Sequence, residues 1–191
     1  MHEIPVSEEI AEVISASFTK GGIIVKDQNA QSLLSERGFG DKTNGHLTLK
    51  DYEALYLTNI GKLKVARNKK TISFDELAAL ALEREPNAWT GFLIYRDLRS
   101  RGYVPKEGFG FGSDFRVYER GEYGTKAAKY LVFGLNEGME MPLRELTRFV
   151  NEIRRMGKEA IVAVIERRGE VIYYRLSKAR FKVDLQPSSS D

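Results

Sequence analysis

The sequence predicts an α+β fold: a small mixed α/β N-terminal domain over residues 1–86, then a C-terminal domain over 87–185 built around a mixed sheet flanked by helices. Three observations predict it. Residues 106–135 read as a Gly-rich lead-in, a strand, a turn and a second strand. Helix-periodic segments at 89–101 and 143–153 bracket that stretch. Pro86-Asn87 interrupts the pattern between the two parts, which gives the order α-β-β-β-α-β-β for the second.

Taken in order, residues 10–17 and 22–26 predict two short strands around the turn residues Lys20, Gly21 and Gly22. Asp27 caps a helix carrying Ala30, Leu33 and Leu34, which Gly38 ends. Residues 38–46 (GFGDKTNGH) form a polar, Gly-rich loop too long for a tight turn. Thr48 opens a second helix with Tyr52, Leu55, Tyr56 and Ile60 on one side, and residues 63–66 form a strand. Ser73 and Glu76 make a capping box for a third helix.

In the second part, the helix at 89–101 turns Phe92, Leu93 and Leu98 inward, with Tyr95 beside them, and Arg96, Arg99 and Arg101 outward. Gly102 follows as its C′ residue. Gly108, Gly110 and Gly112 alternate with Phe109 and Phe111 ahead of the strand that ends near Tyr118. Pro142 takes the first position of a helix along Leu143, Leu146, Phe149, Val150 and Ile153, stopped by Gly157. Residues 160–165 and 171–176 form a hairpin, and residues 186–191 form a disordered tail.

Composition narrows the chemistry. With 191 residues, 42% of them hydrophobic, the chain can bury a substantial core. It has no cysteine, so disulfides, thiolate metal sites and a cysteine nucleophile are excluded. Its two histidines, His2 and His46, lack metal-ligand spacing, and no metal or cofactor is expected. No apolar run approaches the ~20 residues that cross a bilayer, and no signal-peptide core opens the chain, which predicts a cytoplasmic protein without a membrane partner. Net charge is only +3, yet arginines and lysines crowd the second half, while a run of acids (Glu8, Glu9, Glu12, Glu53, Asp75, Glu76, Glu83 and Glu85) lies in the first. Such asymmetry points to a polyanion; a solvated, ion-paired surface is the plain alternative.

Two residues stand out chemically. Tyr118 lies near the mouth of its strand, with Arg116 and Arg120 two positions either side on the same face. Lys158 begins a strand directly after Gly157, where an ammonium can be held against a phosphate. There is no Ser/His/Asp arrangement and no acidic cluster of the two-metal nuclease kind. A phosphodiester cut by this chain would therefore use acid–base chemistry on a ribose 2′-OH, which restricts the substrate to RNA.

Residues 103–121 (YVPKEGFGFGSDFRVYERG), 128–132 (AKYLV), 158–164 and 171–174 (VIYY) resemble the tRNA-intron (tRNA-splicing) endonuclease family of archaea. The likeness covers most of residues 89–176, with the N-terminal part matching more loosely. It implies a restriction-endonuclease-like nuclease domain. It also implies cleavage of precursor tRNA at bulge-helix-bulge structures, leaving 2′,3′-cyclic phosphate and 5′-hydroxyl ends. The family's Tyr–His–Lys triad falls on Tyr118 as general base, on Lys158 as charge stabiliser, and on Ala127 where the acid histidine would open the motif.

Loss of a general acid costs on the order of 10²–10⁴ in rate, so the chain as given would be inactive or strongly impaired. Two explanations stand: a non-catalytic structural subunit, or a catalytic chain whose histidine has been replaced. Retention of both Tyr118 and Lys158 favours the second. The 38–46 loop resembles one in catalytic subunits of the crenarchaeal heterotetrameric type, which makes Lys42 an RNA contact beside Lys50. The resemblance further implies a homologous structural subunit in an α2β2 heterotetramer. The acidic loop 136–140 would dock in that assembly, and Arg148 and Arg175 are candidates to clamp a bulge base.

Overall fold

The computed structural model describes residues 10–43, 45–110 and 113–179. The expected tail at 186–191 lies outside them, as do His2, Phe111, Gly112, Arg180 and Lys182. The fold is α+β, with an N-terminal and a C-terminal domain that each hold one mixed sheet.

The N-terminal sheet has six strands in the order β3-β4-β2-β1-β5-β6. They are β1 (Ile14–Thr19), β2 (Gly22–Val25), β3 (Asp41–Thr43), β4 (His46–Leu49), β5 (Leu63–Arg67) and β6 (Lys70–Thr71). Helix α1 (Gln28–Glu36) starts as expected, its Asp27 Oδ1 accepting from the Ala30 amide at 2.8 Å. Helix α3 (Phe74–Arg84) starts at the Ser73/Glu76 box, bonded in both directions.

Two expectations fail between these helices. The 38–46 stretch is not a free loop: β3 pairs with β4, Lys42 opposite Leu47. Thr48 lies in β4, and helix α2 runs Asp51–Asn59. Its true start is set by Glu53, whose Oε2 accepts from the Lys50 amide at 2.9 Å. The alternation of Leu47 and Leu49, both buried, is a strand pattern only two repeats long.

The C-terminal sheet has the order β11-β10-β9-β8-β7. Strands β7 (Val104–Gly110), β8 (Ser113–Tyr118) and β9 (Tyr130–Asn136) run as an antiparallel meander. Strand β10 (Glu159–Ile165) joins β9 in parallel, and β11 (Val171–Leu176) closes the hairpin. The glycine-alternating lead-in is strand as far as Gly110, with a register shift between Glu107 and Gly110. Helix α4 (Ala88–Ser100) packs on one face, where Gly134 is required: a Cβ there would meet Ile94 Cδ1 at 2.5 Å. Helix α5 (Leu143–Arg155) covers part of the other face through Phe149 and Ile153. Pro142 sits at its N-cap, one place before the expected position, with extended ψ of 130°.

One core runs through both domains. Tyr95 of α4 is fully buried, 5.0 Å from the Tyr52 ring and 5.7 Å from Tyr56, and Tyr52 meets Phe115 of β8 edge-on at 5.1 Å.

Arg99 corrects a further expectation. It points inward, 4% exposed, where it donates to the carbonyls of Arg37 (2.9 Å) and Gly38 (3.1 Å) and to the Tyr95 hydroxyl (3.0 Å). Its guanidinium also lies 3.9 Å from the Phe39 ring centroid. Tyr95 lies one turn back on α4, but the two carbonyls come from the end of α1, about sixty residues away, so helical periodicity in α4 cannot reveal them. Lys106 is likewise removed from the basic surface: it is 4% exposed, 3.3 Å from the buried Glu53 carboxylate and bonded to Gly40 O at 2.8 Å.

Candidate active site

The site lies at one end of the C-terminal sheet, and strand register builds it. In the β8–β9 pair Val117 faces Tyr130 and Arg116 faces Leu131; in β9–β10 Tyr130 faces Glu159 and Leu131 faces Ala160. Side chains alternate, so Tyr118 and Lys158 both fall on the Leu131 face, the side that carries α5. Backbone bonds tie the three segments together. The Lys129 amide donates to Val117 O at 3.0 Å, and the Glu159 amide donates to Lys129 O at 3.0 Å. The Lys158 ammonium donates to the carbonyl of Ala128.

Each side chain has a local cause for its place. Lys158 follows the C-terminus of α5, its amide returning to Ile153 O at 3.2 Å across Gly157, whose φ is 68°. By the contact with Ala128 its ammonium meets a neutral carbonyl, which fixes the group without neutralising it. Ala127 is exposed at the end of a compact turn in which Lys126 and Thr125 amides both donate to Glu122 O. Tyr118 is half-buried, and its ring meets that of Tyr123 at 5.1 Å and 86°.

The flanking arginines do not converge as the sequence suggests. Arg116 donates to Glu107 O at 3.0 Å and lies 5.0 Å from the Phe109 ring, while the Arg120 guanidinium sits 5.6 Å from the Tyr103 ring. A second pair borders the site. Glu119 accepts from Lys129 at 2.7 Å and from the Tyr130 hydroxyl at 2.8 Å, bonds that hold its carboxyl below the usual range and raise the lysine.

The remaining candidates are spread out. Lys42 is exposed on β3, the edge strand of the other sheet. Arg148 is exposed on α5. Arg175 pairs with Ile161 in register, on the face opposite Tyr118, and its Nε lies 3.0 Å from Glu159 Oε2. The structure does not bring Arg148 and Arg175 together. The loop after β9 is exposed at Glu137, Gly138, Met139 and Glu140; the Glu137 carboxylate accepts from the Arg167 amide at 3.1 Å. Among the described residues no three His, Asp or Glu side chains cluster to hold a metal, and no helix is long and apolar enough to cross a membrane.

Comparison with known proteins falls on this same architecture. Residues 88–173 match the tRNA intron endonuclease catalytic C-terminal domain, and residues 14–78 match the tRNA intron endonuclease N-terminal domain. The chain belongs to the tRNA intron endonuclease family. It is 33% identical over 166 residues to the tRNA-splicing endonuclease of Methanococcus maripaludis, covering 86% of this chain and 94% of that protein. With the tRNA-splicing endonuclease of Thermococcus gammatolerans it shares 36% identity over 156 residues, 81% of this chain and 92% of the other. The Pyrococcus furiosus tRNA-splicing endonuclease is 28% identical over 156 residues, 82% and 90% of the two chains.

Within this fold, Glu53, Arg99 and Lys106 hold the domain junction beside the site, and sequence reasoning missed all three roles. Glu53 alone left a local signal, as the glutamate three residues after a helix N-cap.

Proposed function

We propose that the chain is a catalytic subunit of a tRNA-splicing endonuclease, cutting precursor tRNA at bulge-helix-bulge intron boundaries without a metal. The observation that carries the reading is the convergence of Tyr118, the 127–128 segment and Lys158 at one sheet end, tied by Val117 O, Lys129 and Ala128 O. In this reading Tyr118 takes the proton from the ribose 2′-OH. The 2′-oxygen then attacks phosphorus, forming the 2′,3′-cyclic phosphate as the bond to the 5′-oxygen breaks. Lys158 stabilises the charge that accumulates on the phosphoryl oxygens. The departing 5′-oxygen needs a proton that the Ala127 methyl cannot give, so water supplies it slowly.

The boundary between domains falls at residues 86–87. A homologous structural subunit completes an α2β2 assembly, with the exposed loop of Glu137 and Glu140 as its docking element. Lys42, Arg148 and Arg175 contact RNA separately. One observation favours a second reading, a structural subunit that positions RNA: the exposed Ala127 methyl at the acid's place.

The test is cleavage of a bulge-helix-bulge RNA in EDTA by the chain with its partner subunit, with end-group analysis. Slow cleavage to cyclic phosphate and 5′-hydroxyl ends is expected, with Tyr118→Phe and Lys158→Ala each about 10²–10³ slower still. Ends carrying 3′-hydroxyl, or complete loss of activity in EDTA, would overturn the mechanism.

A further inference from the structure

The Tyr118 ring is not positioned by its own strand alone. Tyr123, in the turn between β8 and β9, stands edge-on to it, with centroids 5.1 Å apart at 86°. The other side of Tyr123 is closed by the N-terminal domain. At Gly38, a Cβ would come within 3.1 Å of Tyr123 Cε1, 3.2 Å of its Cζ and 2.5 Å of Val104 Cγ1. Val104 is in turn the register partner of Tyr118. Backbone and ring are thus in direct contact, and φ of 74° at Gly38 is a second reason for glycine there.

The Gly38 backbone cannot drift. Its carbonyl is held by Arg99 at 3.1 Å, the preceding carbonyl by the same guanidinium at 2.9 Å, and the carbonyl of Gly40 by Lys106 at 2.8 Å. The Gly40 amide donates to Glu53 at 3.0 Å. A network of buried charges therefore fixes one short turn of the N-terminal domain, which braces Tyr123, which braces Tyr118.

We infer that Tyr123 is a positioning residue for cleavage, transmitting the docking of the N-terminal domain to the ring of Tyr118. The inference rests on the assignment of Tyr118 as base. Its ring, not its hydroxyl, does the work, because the contacts on both sides are to ring carbons and ring faces. A displacement of about 1 Å in a reacting group costs on the order of 10² in rate, which sets the scale.

The experiment measures kcat and KM in the Ala127→His background, with its partner subunit and bulge-helix-bulge RNA, for Tyr123→Ala, Tyr123→Phe and Gly38→Ala. Tyr123→Ala is expected to lower kcat about 10- to 100-fold with KM within about twofold, and Tyr123→Phe to recover activity to within about threefold. Gly38→Ala is expected to lower kcat as well. Combined with Tyr123→Ala it should add less than its single effect, because the Tyr123 share of its clash is then gone and only the Val104 contact and the positive φ remain. Thermal unfolding of Tyr123→Ala within a few degrees of the parent separates positioning from folding.

Tyr123→Ala at parental kcat overturns the inference, as does an inactive Tyr123→Phe, which would make the hydroxyl a proton donor. If the Ala127→His parent does not cleave at all, the assignment of Tyr118 itself fails, and that outcome is distinct from either.

Discussion

Ala127→His is expected to raise the rate of bulge-helix-bulge RNA cleavage by about 10²–10⁴ over the chain as given, in an assay run in EDTA with the proposed partner subunit present. The size follows from what one positioned general acid contributes when the leaving group is an alkoxide. The geometry makes the change simple. Ala127 is exposed, so an imidazole enters solvent at the site and no core side chain has to move. The following residue is anchored, since the Ala128 carbonyl accepts from Lys158 and the Lys129 amide bonds Val117 O. A histidine at 127 therefore starts from a fixed backbone beside Tyr118 and Lys158.

The gain has a pH signature. The acid acts in its imidazolium form, so it is fully available below its pKa and lost above it, close to pH 6.5 for an ordinary histidine. The restored rate should fall on the alkaline side with that limb, which the Ala127 chain lacks. Ala127→Gln can hydrogen-bond but cannot release a proton at this pH, and it should give no gain. Equal rates for the histidine, glutamine and alanine forms would leave the structural-subunit reading in place of the catalytic one.

The sequence reveals local devices more readily than distant ones. Helices α1 and α3 are readable because Asp27, and Ser73 with Glu76, settle their starts within four residues. The hairpin of β3 and β4 is not, because its exposed strand reads Asp-Lys-Thr and its partner offers only Leu47 and Leu49 as a pattern. Tyr118 and Lys158 can be nominated from motif and strand position, but only the register of β8, β9 and β10 brings them to one face of one sheet end. The same register separates Arg175 from them, a fact that no spacing along the chain contains. Arg99 and Lys106 mislead for the opposite reason. A charge in a helix or an edge strand is assigned to solvent by default, and their partners are contributed by a turn more than fifty residues earlier.

Lys106→Met should destabilise the protein by about 3–5 kcal/mol, the cost of leaving a buried charge without its partner. Glu53 is fully buried and Lys106 is 4% exposed, with Nζ 3.3 Å from Oε1. Among the described residues, removing the ammonium leaves the carboxylate with two amide donors, Gly40 at 3.0 Å and Lys50 at 2.9 Å, and strips Gly40 O of the lysine donor. In urea, with a slope of about 2 kcal/mol/M, the midpoint should drop by about 1.5–2.5 M. The exposed Arg101–Asp97 pair is the internal contrast: Arg101→Ala should cost no more than about 1 kcal/mol. Adding Glu53→Gln to Lys106→Met should return part of the loss, because a neutral amide oxygen can still accept from Gly40 or Lys50 without an unpaired charge. A loss below about 1 kcal/mol for Lys106→Met would mean that water reaches the Glu53 carboxylate or that it takes up a proton, since Asp41, whose Oδ1 lies 3.4 Å from Nζ, is a second anion that loses the same ammonium. The same substitution frees the carbonyl of Gly40, two residues from the glycine that braces Tyr123. It should therefore lower kcat in the Ala127→His background even where the protein remains folded, linking the stability of the domain junction to the chemistry at the sheet end.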